Sequence, residues 1–250
     1  MVIEVSVVTP TYNRRQFIPA LITIYNNQTY PKDKMEWIII DDGRDKVKDL
    51  FEEASKYIPN IKYIAKDEKM RLGAKRNALN AEARGKIIVA MDDDDFYPPD
   101  RVQSVVEAFD KNPKIDLAGS SIMNLYYIDS GKIFRVGPYH KNHATNGTMA
   151  WRKKYSDTHK YDEYVTKAEE TSFLDRYQNP MIQIDHLKTI LVICHTDNTV
   201  DKSQFRDRNL LALQTGQAIT NFRETNYKLS DLVKDSTLLE FYKSLQLPKE

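Results

Sequence analysis

The chain has 250 residues, 41% hydrophobic and 29% charged, enough for one sizeable domain or one domain with an appendage. Thirty-seven lysines and arginines stand against 36 aspartates and glutamates, a balance that excludes a protein held on nucleic acid by bulk positive charge. The one cysteine, Cys194, excludes an internal disulfide and a cysteine-built metal site, and no apolar run approaches the ~20 residues of a membrane span. With no basic leader ahead of the first apolar segment, the expectation is a soluble, cytoplasmic chain.

Taken in order, the first hundred residues alternate. VIEVSVVT (2–9) reads as a strand, and RRQFIPALITIYNNQ (14–28) has helical spacing through Phe17, Leu21, Ile24 and Tyr25. MEWIIIDD (35–42) is a strand, VKDLFEEASKYI (47–58) an amphipathic helix, and NIKYIA (60–65) a short strand. GAKRNALNAEA (73–83) is again helical, KIIVAMD (86–92) a strand, and PDRVQSVVEAFDK (99–111) a helix. Near-continuous apolar strands predict burial on both faces, and their alternation with helices predicts a doubly wound α/β half. After residue 115 the pattern loosens. Two strands flank a Ser-Gly turn at 130–131, GTMAWRKKY (147–155) begins as a strand, and KAEETSFLDRY (167–177) reads as a short helix. TILVICH (189–195) is a last buried strand, and the polar tail carries helical patches at 208–220 and 236–245.

The run Asp92, Asp93, Asp94 and Asp95 follows a buried strand, where ligands bind in open α/β sheets. In extended chain, Asp92 and Asp94 point the same way, and oxygen ligands of this kind favour Mg²⁺ or Mn²⁺. A solvated acidic turn capping the next helix is the alternative. An EF-hand fails, since Tyr97 stands where glycine is needed and Gln103 where glutamate is needed. TPTYNR (9–14) is a strand-to-helix turn able to hold a base or phosphate, or simply a helix start with Asn13 as cap. IDDG (40–43) ends a strand with two carboxylates suited to a base or ribose. RLGAKRNAL (71–79) sets Arg71, Lys75 and Arg76 at a helix start, suited to a diphosphate or to plain solvation. Trp151 is placed to stack on a ligand ring or to fill the core, and His140 and His143 lie in a polar loop able to cover a bound ligand.

Together, VVTPTYNR, IIIDDG, LGAKRNAL and VAMDDDDFYPPDRV resemble, in sequence order, the donor-binding half of family 2-type GT-A glycosyltransferases. The acidic run with AEETSFL and CHTDNT looks most like glycosyltransferase domains of large DNA viruses. The resemblance implies an α/β GT-A fold over 1–200, with a nucleotide-sugar half (1–115), an irregular acceptor half (116–200) and a helical extension over 201–250. It implies that Thr9, Pro10, Thr11, Tyr12, Asn13 and Arg14 line a uridine pocket with Asp42 or Asp41 on the base. Arg71, Gly73, Lys75, Arg76 and Asn77 would sit beside the nucleotide, with Asp92 and Asp93 near ribose. Asp94, Asp92 and His195 would hold Mn²⁺ or Mg²⁺, and Glu170 or Glu169 would be the catalytic base. The activity implied is metal-dependent, inverting transfer from a UDP-sugar to a carbohydrate or other hydroxyl acceptor, with the chain either a whole protein or one domain of a larger glycosyltransferase. A sugar-nucleotide-forming nucleotidyltransferase would need a glycine-rich loop that TPTYNRRQF lacks, and no P-loop is present. A non-catalytic nucleotide- or glycan-binding module is the remaining rival, and a glycoside hydrolase would not need a nucleotide pocket.

Overall fold

The computed structural model describes residues 2–165, 168–196, 198 and 202–245. In chain order the strands and helices are β1 (Val5–Thr11), α1 (Ile18–Asn26), β2 (Met35–Asp41), α2 (Lys48–Ala54), β3 (Ile61–Ala65), α3 (Leu72–Glu82), β4 (Ile87–Ala90) and α4 (Arg101–Lys111). The second part holds β5 (Leu117–Gly119), β6 (Met123–Tyr127), β7 (Lys132–Val136), β8 (Ala150–Arg152), α5 (Lys153–Thr158), α6 (Glu170–Phe173), β9 (Met181–Gln183) and β10 (Leu191–Cys194). The tail adds α7 (Ser203–Gln214), β11 (Phe222–Glu224), α8 (Leu229–Leu232) and α9 (Ser236–Ser244).

Among the described residues, seven strands form one mixed sheet in the order β3-β2-β1-β4-β8-β5-β9. β3, β2, β1 and β4 run parallel, and β8 lies antiparallel between β4 and β5. Every residue of β1 and β2 is buried, as their apolar runs require. The polar exceptions there are satisfied within the sheet. Ser6 donates to Glu36 at 2.6 Å, and Glu36 accepts from Arg84 Nε at 2.7 Å. Trp37 is fully buried, stacked on Tyr25 with centroids 4.4 Å apart, and its indole N–H donates to Thr9 Oγ1 at 2.9 Å.

A smaller sheet, β10-β6-β7-β11, stands beside the first. β6 and β7 make the expected hairpin, with Gly131 at φ 66° in its turn. The described part of the tail is more than helix. β11 pairs antiparallel with β7, Leu238 and Tyr242 are buried in the main core, and Asn27 donates to Asp235 at 3.0 Å.

Several helices are shorter than their apolar spacing predicts, for local reasons. α1 begins at Ile18 because Pro19 fits only a first turn. α6 spans four residues, since Asp175, Arg176 and Tyr177 adopt φ of 46°, 52° and 63° and end it.

The Trp37→Ala variant should lose about 3–5 kcal/mol of unfolding free energy. Urea denaturation followed by circular dichroism would measure it; a loss under about 1 kcal/mol would mean that Trp37 does not anchor the parallel half.

Candidate active site

Asp92 to Asp95 leave the C-terminal end of β4, next to the end of β1 and the start of α3. Each carboxylate turns to a different partner. Asp92 accepts from Arg76 Nη1 at 3.1 Å, and its backbone N–H donates to the Tyr97 hydroxyl at 2.7 Å. Asp93 lies 3.8 Å from Arg14; burial, with the charge of Asp94 added, pushes its carboxyl up to about 8. Burial would raise Asp94 too, but the bond and charge of His195, with Lys202 and Arg14, outweigh it and hold Asp94 below its ordinary value. His195 Nε2 is 3.1 Å from Asp94 Oδ2, Asn198 donates to the same oxygen at 3.2 Å, and Arg14 lies 3.6 Å away. Asp95 accepts from the backbone N–H of Ile193 at 2.9 Å, and burial raises its proton affinity well above normal.

Across the site, Arg76 also donates through Nε to Glu169 Oε1 at 2.9 Å. Burial disfavours the guanidinium charge, yet Asp92 and Glu169 more than restore it. Glu170 differs from its neighbour. Among the described residues no side chain bonds its carboxyl, and burial, with the charge of Glu169 nearby, raises its proton affinity. Both glutamates and all four aspartates line one cavity of about 870 Å³.

The same cavity is lined by Pro10, Thr11, Tyr12, Arg14, Arg71, Lys75 and Arg76, all expected at a nucleotide. The Tyr12 ring packs under the Lys69 ammonium, 4.2 Å from its centroid. Lys75 pairs with Asp42 and donates to the Thr11 carbonyl at 3.1 Å; burial still lowers its proton affinity. Asp42 also accepts from Met70 N–H at 2.6 Å, so it builds the wall rather than facing the cavity. Asp41 accepts from Gly43 N–H at 2.8 Å and Val47 N–H at 3.0 Å, which spends it on the β2–α2 loop. Asn13, at φ 53°, accepts from Arg44 N–H at 2.7 Å. Thr9 holds Trp37, and Asn77 and Gly73 face a backbone segment at 161–163. Sequence spacing cannot separate these second roles from ligand contact.

The expected metal set is brought together in part. Asp94 and His195 meet, while Asp92 is turned toward Arg76; among the described residues no three His, Cys, Asp or Glu side chains form a ready cluster. Asn198, three residues past His195 in CHTDNT, was not anticipated. Nor were Asn146 and Gly147, where an added Cβ would lie 3.3 Å from Asp92 Oδ2. Asn146 is buried and accepts from the Tyr161 hydroxyl at 2.6 Å. Trp151 fills the core, and His143 packs between Tyr139 and Tyr177.

Comparison with known proteins settles the family. The family model "Glycosyl transferase family 2" matches residues 6–166. The chain belongs to glycosyl transferase family 2. An uncharacterized glycosyltransferase of Methanocaldococcus jannaschii is 29% identical over 185 residues, covering 68% of this chain and 62% of that one. The chain spans less than two thirds of the length of the curated relatives it matches. Among solved structures, S. aureus TarS 1-349 in complex with UDP-GlcNAc aligns with TM-score 0.63 at 16% identity, over 88% of this chain and 68% of that one. Mannosyltransferase PcManGT from Pyrobaculum calidifontis, in complex with GDP-Man and Mn²⁺, aligns with TM-score 0.64 at 14% identity, over 88% and 66%. These likenesses establish the GT-A-like mixed α/β fold, and nothing in them links the glycosyltransferase to large DNA viruses. Among the described residues no helix is long and apolar enough to cross a membrane.

Replacing Arg76 by leucine leaves Asp92 and Glu169 facing each other without a cation. The expected cost is about 3–5 kcal/mol, as for other broken buried pairs. Chemical denaturation at neutral pH would measure it, and an unchanged midpoint would contradict the bridging role.

Proposed function

We propose that this glycosyltransferase moves a sugar from a UDP-sugar to a hydroxyl of a carbohydrate acceptor, with inversion at the anomeric carbon. The observation that carries this reading is the unequal pair Glu169 and Glu170 facing the aspartates across one cavity. Glu169 is neutralised by Arg76, which leaves Glu170 as the base. Its raised proton affinity suits it to take a hydroxyl proton at neutral pH.

In a single displacement, the acceptor O–H proton passes to Glu170 while the oxygen bonds the anomeric carbon. The bond from that carbon to the diphosphate oxygen breaks, and its electron pair leaves with UDP. Arg14 and Lys202 line the cavity near Asp94 and offer positive charge to the departing group. Residues 1–115 would form the donor half and 116–200 the acceptor half, within a longer protein.

The donor set fits a divalent ion in part. Asp94 is ionised and pairs with an imidazole, a combination suited to Mn²⁺ or Mg²⁺, with substrate phosphates completing the shell. When bound there, the ion would supply Lewis-acid stabilisation of the leaving diphosphate. Support by analogy comes from the TarS complex with UDP-GlcNAc and the PcManGT complex with GDP-Man and Mn²⁺.

Titration calorimetry with UDP and Mn²⁺, with GDP as control, tests the donor. UDP should bind and GDP should not; the reverse preference would overturn the choice of uridine donor. Asp94→Ala should lower Mn²⁺-dependent UDP affinity by more than about tenfold. Glu170→Gln should keep UDP affinity and lose about 10²–10⁴-fold in transfer. Because Glu170 must be deprotonated to act, kcat should fall as pH drops through its raised pKa. That acid limb should lie above the ordinary carboxylate range; a limb at ordinary carboxylate pH would place the base elsewhere.

A further inference from the structure

Asn77 was expected beside the nucleotide, yet its side chain points away from the cavity, toward the segment 161–163. Its Oδ1 accepts from Tyr161 N–H at 2.9 Å, while Nδ2 donates to the Tyr161 carbonyl and to Glu163 Oε1, each at 2.9 Å. One amide thus satisfies both backbone groups of Tyr161, as a neighbouring strand would. One turn earlier on the same helix face, Gly73 is equally committed. A Cβ there would lie 2.2 Å from the Asp162 carbonyl oxygen and 3.0 Å from its carbon, so only glycine lets the segment lie flat on α3.

From there the bonds run toward the glutamates. Asp162 N–H donates to Ser172 Oγ at 2.7 Å, and the Ser172 hydroxyl donates to the Glu169 carbonyl at 2.8 Å. The buried Tyr161 ring stacks on Phe173, the last residue of α6, with centroids 4.2 Å apart and planes 1° from parallel. Its hydroxyl reaches Asn146 in the cavity wall.

We infer that Asn77 is a positioning residue: through Tyr161, Asp162 and Ser172 it sets where Glu169 and Glu170 stand against the aspartates. Two consecutive residues of α3 therefore hold the glutamate turn, Arg76 by charge from the cavity side and Asn77 by backbone bonds from behind. The inference rests on Glu170 acting as the base, and deepens it by naming what fixes its reach. A displacement near 1 Å is enough to cost about a hundredfold in rate.

The test uses the whole chain and the variants Asn77→Ala and Ser172→Ala, the second at a side chain whose hydrogen bonds go to Asp162 and Glu169 rather than to α3. Hydrogen exchange read by mass spectrometry should rise in 161–165 and 168–174 and stay unchanged in β1, β2 and β4. UDP affinity by calorimetry should stay within about twofold, while kcat falls about ten- to a hundredfold at constant donor KM. The double variant should be scarcely worse than either single one, because both cut one line of contacts. Unchanged exchange at 168–174 would overturn the proposal. So would a loss of UDP affinity in Asn77→Ala, which would make Asn77 a nucleotide contact, or additive losses in the double variant. Glu170→Gln transferring at the wild-type rate would sink the base assignment alone, since the exchange result does not depend on it.

Discussion

Four carboxylates in sequence at the end of a buried strand impose one requirement: their charges cannot all be carried there unanswered. Two like charges at about 4 Å repel by roughly 4 kcal/mol at the effective dielectric of a protein, a large part of a typical domain's stability. The chain resolves this by giving each aspartate a different partner. Asp92 takes Arg76, Asp94 takes His195 and Asn198, and Asp95 takes a backbone N–H of β10. Asp93, crowded and buried beside Arg14, holds its proton to about 8. Asp94 combines a depressed pKa with an imidazole neighbour.

That division reaches beyond the acidic run. Since Arg76 answers Asp92, it is fixed where it can also hold Glu169, and among the described residues this leaves Glu170 without an ion pair on the cavity surface. Both glutamates, the aspartates and the cavity wall between them are therefore tied to α3. The tail joins the same assembly from the other side. Phe17 packs on His195 with centroids 4.6 Å apart and meets Phe241 of α9 edge-on, so the last helix braces a site residue.

Much of this was legible in the residues because the parallel half obeys simple rules. β1, β2 and β4 are buried and largely apolar, and the polar blocks that follow them lie at strand ends, where binding sites form. β9 and β11 were not foreseen, and β5 was read as one strand with β6 rather than as a separate strand. β5, β9 and β11 are each three residues long, too short for an alternation pattern, and each is specified by its sheet neighbours rather than by itself. In the site, residue type was readable but direction was not. Asp41, Asn13 and Asn77 are polar residues beside the right strands whose side chains bond backbone groups. Asn198 was hidden for the opposite reason, since its bond to Asp94 spans 104 positions of sequence.

The account stands or falls on Asp94 being the carboxylate left to meet the diphosphate's counter-ion. Anomalous diffraction from a crystal of the protein with UDP and Mn²⁺ tests this directly. A manganese peak bound by the Asp94 carboxylate is the predicted result. A peak held by Asp92 or Asp93 without Asp94, or none in the cavity while UDP is bound, would contradict it.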